Sequence, residues 1–363
     1  MNSHPTIAQV TATAYDIPTD APEADGTLSW DKTTLVVAEV AAGGQRGIGY
    51  TYGAGAAAAL IAGKQAETIR ERDALAIPAG HQAMLRAIRN LGRPGVVANA
   101  ISAVDAALWD LKGKLLGQPV AALLGAARDE VPVYGSGGFT SYSLKRLQEQ
   151  LGGWAANGMR WVKMKVGSDS AADPERVRVA REAIGDTPLF VDGNGAYDVP
   201  QALGMAEMFA AQGVTYFEEP VSSDDLAGLR WVRRRAPAGM RIAAGEYGYD
   251  PLYFHRMLEA EAVDVLQADA TRCLGITGFM KVDALCDARS LPLSAHCAPA
   301  LHRHPAMAAT RLWNIEWFHD HVRIEQMLFD GAPRPEKGVI SVDWTRPGLG
   351  IELKRADAAR FKV

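Results

Sequence analysis

Six polar residues, Lys165, Asp192, Glu218, Glu246, Asp269 and His296, stand one by one where strands would end, in steps of 23 to 28 residues. Each step holds one strand, one helix and two loops, so the rhythm predicts a β/α barrel whose strand ends face one shared mouth. Three carboxylates, a lysine and an Asp/His pair then meet in one cavity. Carboxylates that close repel one another unless a cation sits among them. All-oxygen ligation by Asp192, Glu218 and Glu246 suits a hard divalent ion, and Mg²⁺ in particular keeps positions for water and substrate oxygens. Asn194, two residues past Asp192, is the expected outer partner of that set. The competing reading makes Asp192-Gly193-Asn194-Gly195 a plain turn and Glu218-Glu219-Pro220 a solvated strand exit, but three such coincidences at barrel spacing weigh against it.

Lys163 and Lys165 are two positions apart, so on a strand both face the barrel interior. Ammonium groups ~7 Å apart at an effective dielectric of ~20 repel by about 2.4 kcal/mol, nearly ~2 pKa units. With burial and a nearby dication, this is expected to bring Lys165 toward neutrality, where it can accept a proton. The bland alternative pairs both lysines with the acidic trio. On an adjacent strand, Asp269 can hold one ring N–H of His296 so that the other nitrogen faces substrate. Lysine on the second strand and histidine on the seventh lie on opposite sides of the mouth. Glu316, at the end of the eighth strand, is expected to stay protonated and donate to a developing oxyanion. These roles compose into removal of a proton next to a carboxylate. Mg²⁺, Lys163 and Glu316 stabilise the dianionic enediolate, and Lys165 or His296 moves the proton.

The elements that must position these groups can be read around them. Barrel strands are predicted at 131–134, 161–165, 189–191, 214–217, 241–243, 263–266, 291–294 and 313–315, with helices between. The first third differs. Residues 7–15 and 33–40 and the run Gly47-Ile48-Gly49-Tyr50 read as an antiparallel meander, and Ile101, Val104, Leu108, Leu111 and Leu115 form one helical stripe ending at Gly117. Residues 17–31, polar and bearing Pro and Gly, are predicted to be a loop serving as a lid or specificity element, carrying Asp20 and Trp30. A second cap loop at 50–55 carries Tyr50 and Tyr52. The Gly53-Ala54-Gly55 run after a strand looks like a dinucleotide fingerprint, but no βαβ unit follows and alanine-rich helix is the better reading.

Composition bounds the partners. The 363 residues, 48% hydrophobic and 22% charged, suffice for a barrel plus a second domain. A net charge of -4, and only one short arginine run at Arg233, Arg234 and Arg235, argue against nucleic acid. Three cysteines with no paired spacing predict a reducing compartment. Residues 1–10 lack a basic n-region and an apolar core, and no apolar run reaches the ~18 residues of a span, so a cytoplasmic protein with no membrane partner is expected. The pairs His302-Arg303-His304 and His319-Asp320-His321 raise a zinc hydrolase as a rival. They lie late in the chain without evident partner ligands, and surface, loop or subunit-contact histidines are the better account.

The chain resembles the enolase superfamily, and within it the mandelate racemase subgroup, over nearly its whole length. The resemblance rests on Asp105-Ala-Ala-Leu-Trp-Asp-Leu-Lys-Gly-Lys114 with Gly117-Gln118-Pro119, on Lys163-Met164-Lys165, Val191-Asp-Gly-Asn194, Glu218-Glu-Pro220, Gly245-Glu246 and Asp269, and on Ser294-Ala-His296. It implies an α/β fold, a (β/α)7β modified TIM barrel with an N-terminal α+β capping domain completed by the C-terminal tail. On that basis 1–127 is the cap, 128–322 the catalytic barrel and 323–363 the segment returning to the cap. It also implies three acidic Mg²⁺ ligands, Lys165 and His296 as the two bases, Asp269 polarising His296, Glu316 as enolate donor, and a homo-oligomer acting on a small-molecule carboxylate. Dehydration of an acid sugar to a 2-keto-3-deoxy acid is favoured. Racemisation or epimerisation of a 2-hydroxy acid is second and lactone cycloisomerisation third. A non-catalytic scaffold is the remaining class, disfavoured because a structural ion site needs no proton carriers.

Overall fold

The computed structural model describes residues 5–363, so the first four residues of the segment read for a leader lie outside the described residues. The cap is a three-stranded antiparallel sheet of β1 (Ile7–Ala24), β2 (Ser29–Ala42) and β3 (Gln45–Tyr52). Successive side chains of β2 point to opposite faces. Leu35 and Val37 join the core shared with the barrel, while Val36, Ala38 and Val40 pack in a second core with the cap helices. The predicted loop at 17–31 is instead mostly strand. Ala24 pairs with Ser29 and Pro18 with Lys32, across a register shift between Pro18 and Glu23. β1 is an edge strand, where prolines lacking an N–H are tolerated, so the composition of a loop was overridden by pairing to β2. Only the tip turns, with Asp25 Oδ1 accepting from the Thr27 and Leu28 amides at 2.6 and 2.8 Å.

Helix α1 (Val96–Leu116) lies across this sheet and stops at left-handed Gly117, φ 65°. A Cβ on Gly47 or Gly49 would stand 2.2 Å from the Ala107 or Ala103 carbonyl oxygen, so the paired glycines let strand and helix backbones touch. Two motif carboxylates lock α1 in place. Asp110 accepts from the Ile48 and Leu349 amides at 2.7 and 2.6 Å, joining helix, cap strand and C-terminal segment. Asp105 accepts from the Thr277 amide at 2.9 Å, fastening the cap to the barrel. The Gly53 run leads into a helix at Ala56–Leu60.

Eight parallel strands follow: β4 (Val131–Gly137), β5 (Val162–Lys165), β6 (Leu189–Asp192), β7 (Val214–Glu218), β8 (Arg241–Ala244), β9 (Val265–Ala268), β10 (Leu293–Ala295) and β11 (Leu312–Phe318). β11 pairs back onto β4 and closes the ring. Helices fill the seven crossovers, giving the (β/α)7β order. β9 and β10 begin two residues later than predicted and end on small buried residues, Ala268 and Ala295, that carry no β signal. β11 runs past Glu316 to Phe318, so Glu316 lies inside the eighth strand, opposite Tyr134. Beneath the mouth, Tyr134, Phe190 and Tyr216 plug the barrel, with Phe190 stacked on Tyr216 at 4.4 Å. After β11 comes helix α2 (His319–Leu328), and the tail ends against β1 with a bridge between Lys362 and Tyr15.

Glu325 on α2 ties this return to the cap: its carboxyl accepts from the Tyr50 hydroxyl at 2.6 Å and the Ala300 amide at 3.0 Å. Burial pushes that carboxyl up to about 8, from an ordinary 4.5. The folded chain therefore keeps a proton that the unfolded chain releases. Its stabilising share is complete below the unfolded value and shrinks as pH rises through the folded one. The Tm is expected to fall between pH ~4.5 and ~8, and Glu325→Gln, which cannot titrate, to flatten that fall. Thermal melts with the same pH slope in both proteins would show that Glu325 is not the source.

Candidate active site

Lys165, Asp192 and Glu218 are the last residues of β5, β6 and β7 and face one another in register, which places them in one layer at the mouth. Glu246 follows β8 after Gly245, where a Cβ would stand 2.1 Å from the Gln267 carbonyl oxygen. Ligand atoms of Asp192, Glu218 and Glu246 all lie within 4.8 Å of one another, and all three residues are buried. Burial first, and then the Asp192 charge, pushes the Glu218 carboxyl above its ordinary range. Glu218 Oε1, Glu219 Oε1 and Asn194 Oδ1 are buried without a hydrogen-bond partner. Orphaned acceptors of this kind cost about 1–3 kcal/mol each, and an all-oxygen set around them fits a hard divalent ion of the Mg²⁺ class. Asn194 donates its own amide to Asp192 Oδ1 at 3.0 Å, so it also aims that carboxylate.

The lysines do not face each other unpaired. Lys165 Nζ sits 2.5 Å from Asp192, and Lys163 Nζ lies 2.7 Å from Glu218, 2.8 Å from Glu316 and 3.4 Å from Asp192. The expected drift of Lys165 toward neutrality rested on burial together with a dication, and burial alone does not produce it. Burial works most strongly in that direction and Lys163 adds to it, but the Asp192, Glu246 and Glu316 charges together hold the ammonium above its ordinary value. The expectation for Glu316 is corrected. Burial would protonate it, yet Lys163, His296 and Lys165 pull its carboxyl down to about 2, so it is an ionised acceptor, bonded by the Ser136 hydroxyl at 2.6 Å.

His296 stands one residue past β10 and Asp269 one past β9. Nδ1 of His296 donates to Asp269 Oδ2 at 2.8 Å, which leaves Nε2 facing Glu246 Oε2 at 3.0 Å. Burial disfavours the imidazolium, but Cys297, Glu246 and the Asp269 bond together raise it well above its ordinary value. Asp269 is oriented from behind by the Thr271 amide at 2.6 Å, and the next amide, Ala270, donates to His302 Nε2 at 2.8 Å. His302 and His304 are thus buried and saturated by backbone groups rather than surface histidines: His302 Nδ1 bonds the Cys297 carbonyl at 2.8 Å and His304 Nε2 the Leu349 carbonyl at 2.7 Å. His321 stacks on Tyr52 at 3.5 Å, and His319 meets Asp20 and Glu23. Among the described residues, no candidate cluster takes both histidines of either His-x-His pair, which removes the ground for the zinc hydrolase.

A cavity of about 370 Å³ opens onto these groups, lined by Lys165, Asn194, Glu246, His296 and Cys297 from the barrel and by Trp30 and Tyr52 from the cap. β5 and β10 are three strands apart around the ring, so the amine and the imidazole approach it from different sides. A larger hollow of about 680 Å³ adjoins it and shares Asn194 and Tyr247, but none of the proton carriers line it. Two of the predicted cap residues do not reach the cavity. Asp20 is held by Arg146 at 3.2 Å and His319 at 3.1 Å, and Tyr50 is buried against Glu325. Trp30 is fixed by its indole N–H on Glu23 at 2.9 Å. Sequence reasoning passed over Arg272, which lies 3.5 Å from Asp269 and 3.7 Å from Glu246. Its place one turn past Asp269 was the available signal. Cys297 offered only its adjacency to His296.

Residues 146–358 match the family described as Enolase C-terminal domain-like, and residues 8–125 match the Mandelate racemase / muconate lactonizing enzyme, N-terminal domain. The chain is 34% identical over 319 residues to the 3,6-anhydro-alpha-L-galactonate cycloisomerase of Streptomyces coelicolor, across 84% of this chain and 88% of that one. It is 32% identical over 329 residues to the L-talarate/galactarate dehydratase of Salmonella typhimurium, across 89% and 81%. A crystal structure of that organism's L-talarate/galactarate dehydratase, liganded with Mg and L-lyxarohydroxamate, superposes with a TM-score of 0.90 at 28% identity, over 99% of this chain and 94% of that one. A mandelate racemase/muconate lactonizing enzyme-like protein from Rubrobacter xylanophilus superposes with a TM-score of 0.97 at 53% identity, over 99% and 100%. The chain belongs to the mandelate racemase/muconate lactonizing enzyme family of the enolase superfamily.

Proposed function

We propose that this chain dehydrates an acid sugar to a 2-keto-3-deoxy acid by taking the proton next to the carboxylate. The reading is carried by one observation: a lysine, an Asp-backed histidine and Glu246 line a single cavity from different strands, with Asp192 and Glu218 offering ligand atoms within 4.8 Å of those of Glu246. Asp192, Glu218 and Glu246 would hold Mg²⁺, which supplies concentrated positive charge at the substrate carboxylate and takes up the Asp192 charge that otherwise keeps the proton on Lys165. Lys165 receives the α-proton. Lys163, fully buried and bonded to Glu218 and Glu316, adds fixed positive charge beside the developing enediolate. His296 delivers its Nε2 proton to the departing β-hydroxyl, which leaves as water, and the enol collapses to the keto acid. Ionised Glu316 sets the position of Lys163 and His296 rather than donating.

Dehydration is preferred because the relatives named as arabinonate, L-talarate/galactarate and L-rhamnonate dehydratases are 30%, 32% and 30% identical to this chain. Cycloisomerisation is the second reading, favoured by the 34% identical cycloisomerase. The division at 127 and 322, the homo-oligomer and a reducing compartment belong to the same proposal, the last supported by three free cysteines, all buried. Among the described residues, no helix is long and apolar enough to cross a membrane.

An acid-sugar library incubated with the protein and Mg²⁺ in D₂O, followed by NMR, tests the choice. A new keto acid is expected from at least one hexonate or hexarate. Deuterium at C2 of recovered substrate without loss of water would point to racemisation, and conversion confined to lactones to the cycloisomerase.

A further inference from the structure

We infer that His296, Cys297 and Glu316 form a second metal site, one for a zinc-class ion, and that an ion bound there silences the enzyme. His296 Nε2 lies 3.1 Å from Cys297 Sγ and 3.7 Å from Glu316 Oε2, and Cys297 Sγ lies 3.4 Å from that same oxygen. Donors around one tetrahedral zinc, with Zn–S of about 2.3 Å and Zn–N or Zn–O of about 2.0–2.2 Å, stand roughly 3.2–3.6 Å from one another. The three atoms thus already have the spacing of one face of a zinc tetrahedron, and side-chain shifts of a few tenths of an ångström complete it. The fourth position is open to water from the cavity that His296 and Cys297 line.

A separate observation points to an ion. The Nδ1–H of His296 is bonded to Asp269 at 2.8 Å, so that Nε2, once its proton is lost, is the ring atom left to ligate, the arrangement found behind metal-bound histidines. The donor chemistry separates this site from the carboxylate trio. Imidazole and thiolate favour zinc and cadmium, whereas Asp192, Glu218 and Glu246 offer only hard oxygens. When the ion binds, the Cys297 S–H bond breaks, a sulfur–metal bond forms, and the proton leaves to solvent. Any proton on Nε2 leaves likewise as its lone pair joins the ion. Nε2 can then neither accept nor deliver a proton. Binding needs only the three donors, while the loss of activity rests on the proton-carrier role proposed for His296.

The test is a Cd²⁺ titration of the wild-type protein in excess Mg²⁺, recording thiolate-to-cadmium ultraviolet absorption and turnover together. One equivalent of thiolate signal is expected, with turnover falling in parallel. Cys297→Ser is expected to lose the signal and to need at least about tenfold more Cd²⁺ for half-inhibition relative to its own starting rate. Cys286→Ala, which alters a sulfur in the helical layer, retains both effects. No signal in the wild type, an undiminished signal in Cys297→Ser, or equal inhibition of both would overturn the site. A wild-type signal with unchanged turnover would leave the site standing and overturn the role given to His296.

Discussion

Lys165→Ala and His296→Asn are each expected to lower turnover of the acid-sugar substrate by about 10²- to 10⁴-fold, the range a positioned general acid or base contributes. The two variants should differ in what survives. Lys165 is placed to take the α-proton and His296 to protonate the departing hydroxyl. His296→Asn should therefore still exchange the C2 hydrogen with solvent deuterium while failing to eliminate water, and Lys165→Ala should do neither. Asparagine keeps an N–H toward Asp269, so the Asp269 carboxylate, oriented by the Thr271 amide, is not left bare. NMR of recovered substrate in D₂O reads both properties at once. Wild-type turnover in both variants would end the mechanism, and deuterium washed in by Lys165→Ala would reassign the base.

Much of this site was legible because barrel strands present their functional residues where they end. Lys165, Asp192 and Glu218 close their strands in register, and Glu246, Asp269 and His296 follow theirs within two residues. Chain spacing alone could find them. What it could not find were contacts made across the sequence. Prolines and glycines in 17–31 read as loop, yet pairing with β2 makes most of that segment strand and delivers Trp30, but not Asp20, to the cavity. Two lysines two positions apart read first as a repelling pair and second as partners of the acidic trio, and contacts at 2.5 and 2.7 Å reverse that order. Glu316 was misjudged for the same reason: burial was anticipated, whereas the three cations around it were not. His302 and His304 looked like surface groups until their backbone partners were visible.

Lys163 carries the largest expected effect on stability. Its side chain is fully buried, and its ammonium is the shared counter-charge of Glu218, Glu316 and Asp192. Lys163→Met keeps most of the volume and removes the charge, stranding those carboxylates together in the barrel. Breaking a buried pair in this way typically costs about 3–5 kcal/mol. In EDTA the variant is therefore expected to melt several degrees below the wild type. Mg²⁺ should narrow the gap, because a cation among Asp192, Glu218 and Glu246 replaces part of the missing charge and stabilises by mass action. The Mg²⁺-induced rise in Tm should thus be larger in Lys163→Met than in the wild type, even though turnover falls. If the two proteins melted together in EDTA, the acids beneath the mouth would have to be protonated already and Lys163 would not be their counter-ion. If Mg²⁺ raised neither Tm, the trio would not be a metal site, and the enediolate chemistry built on it would fail with it.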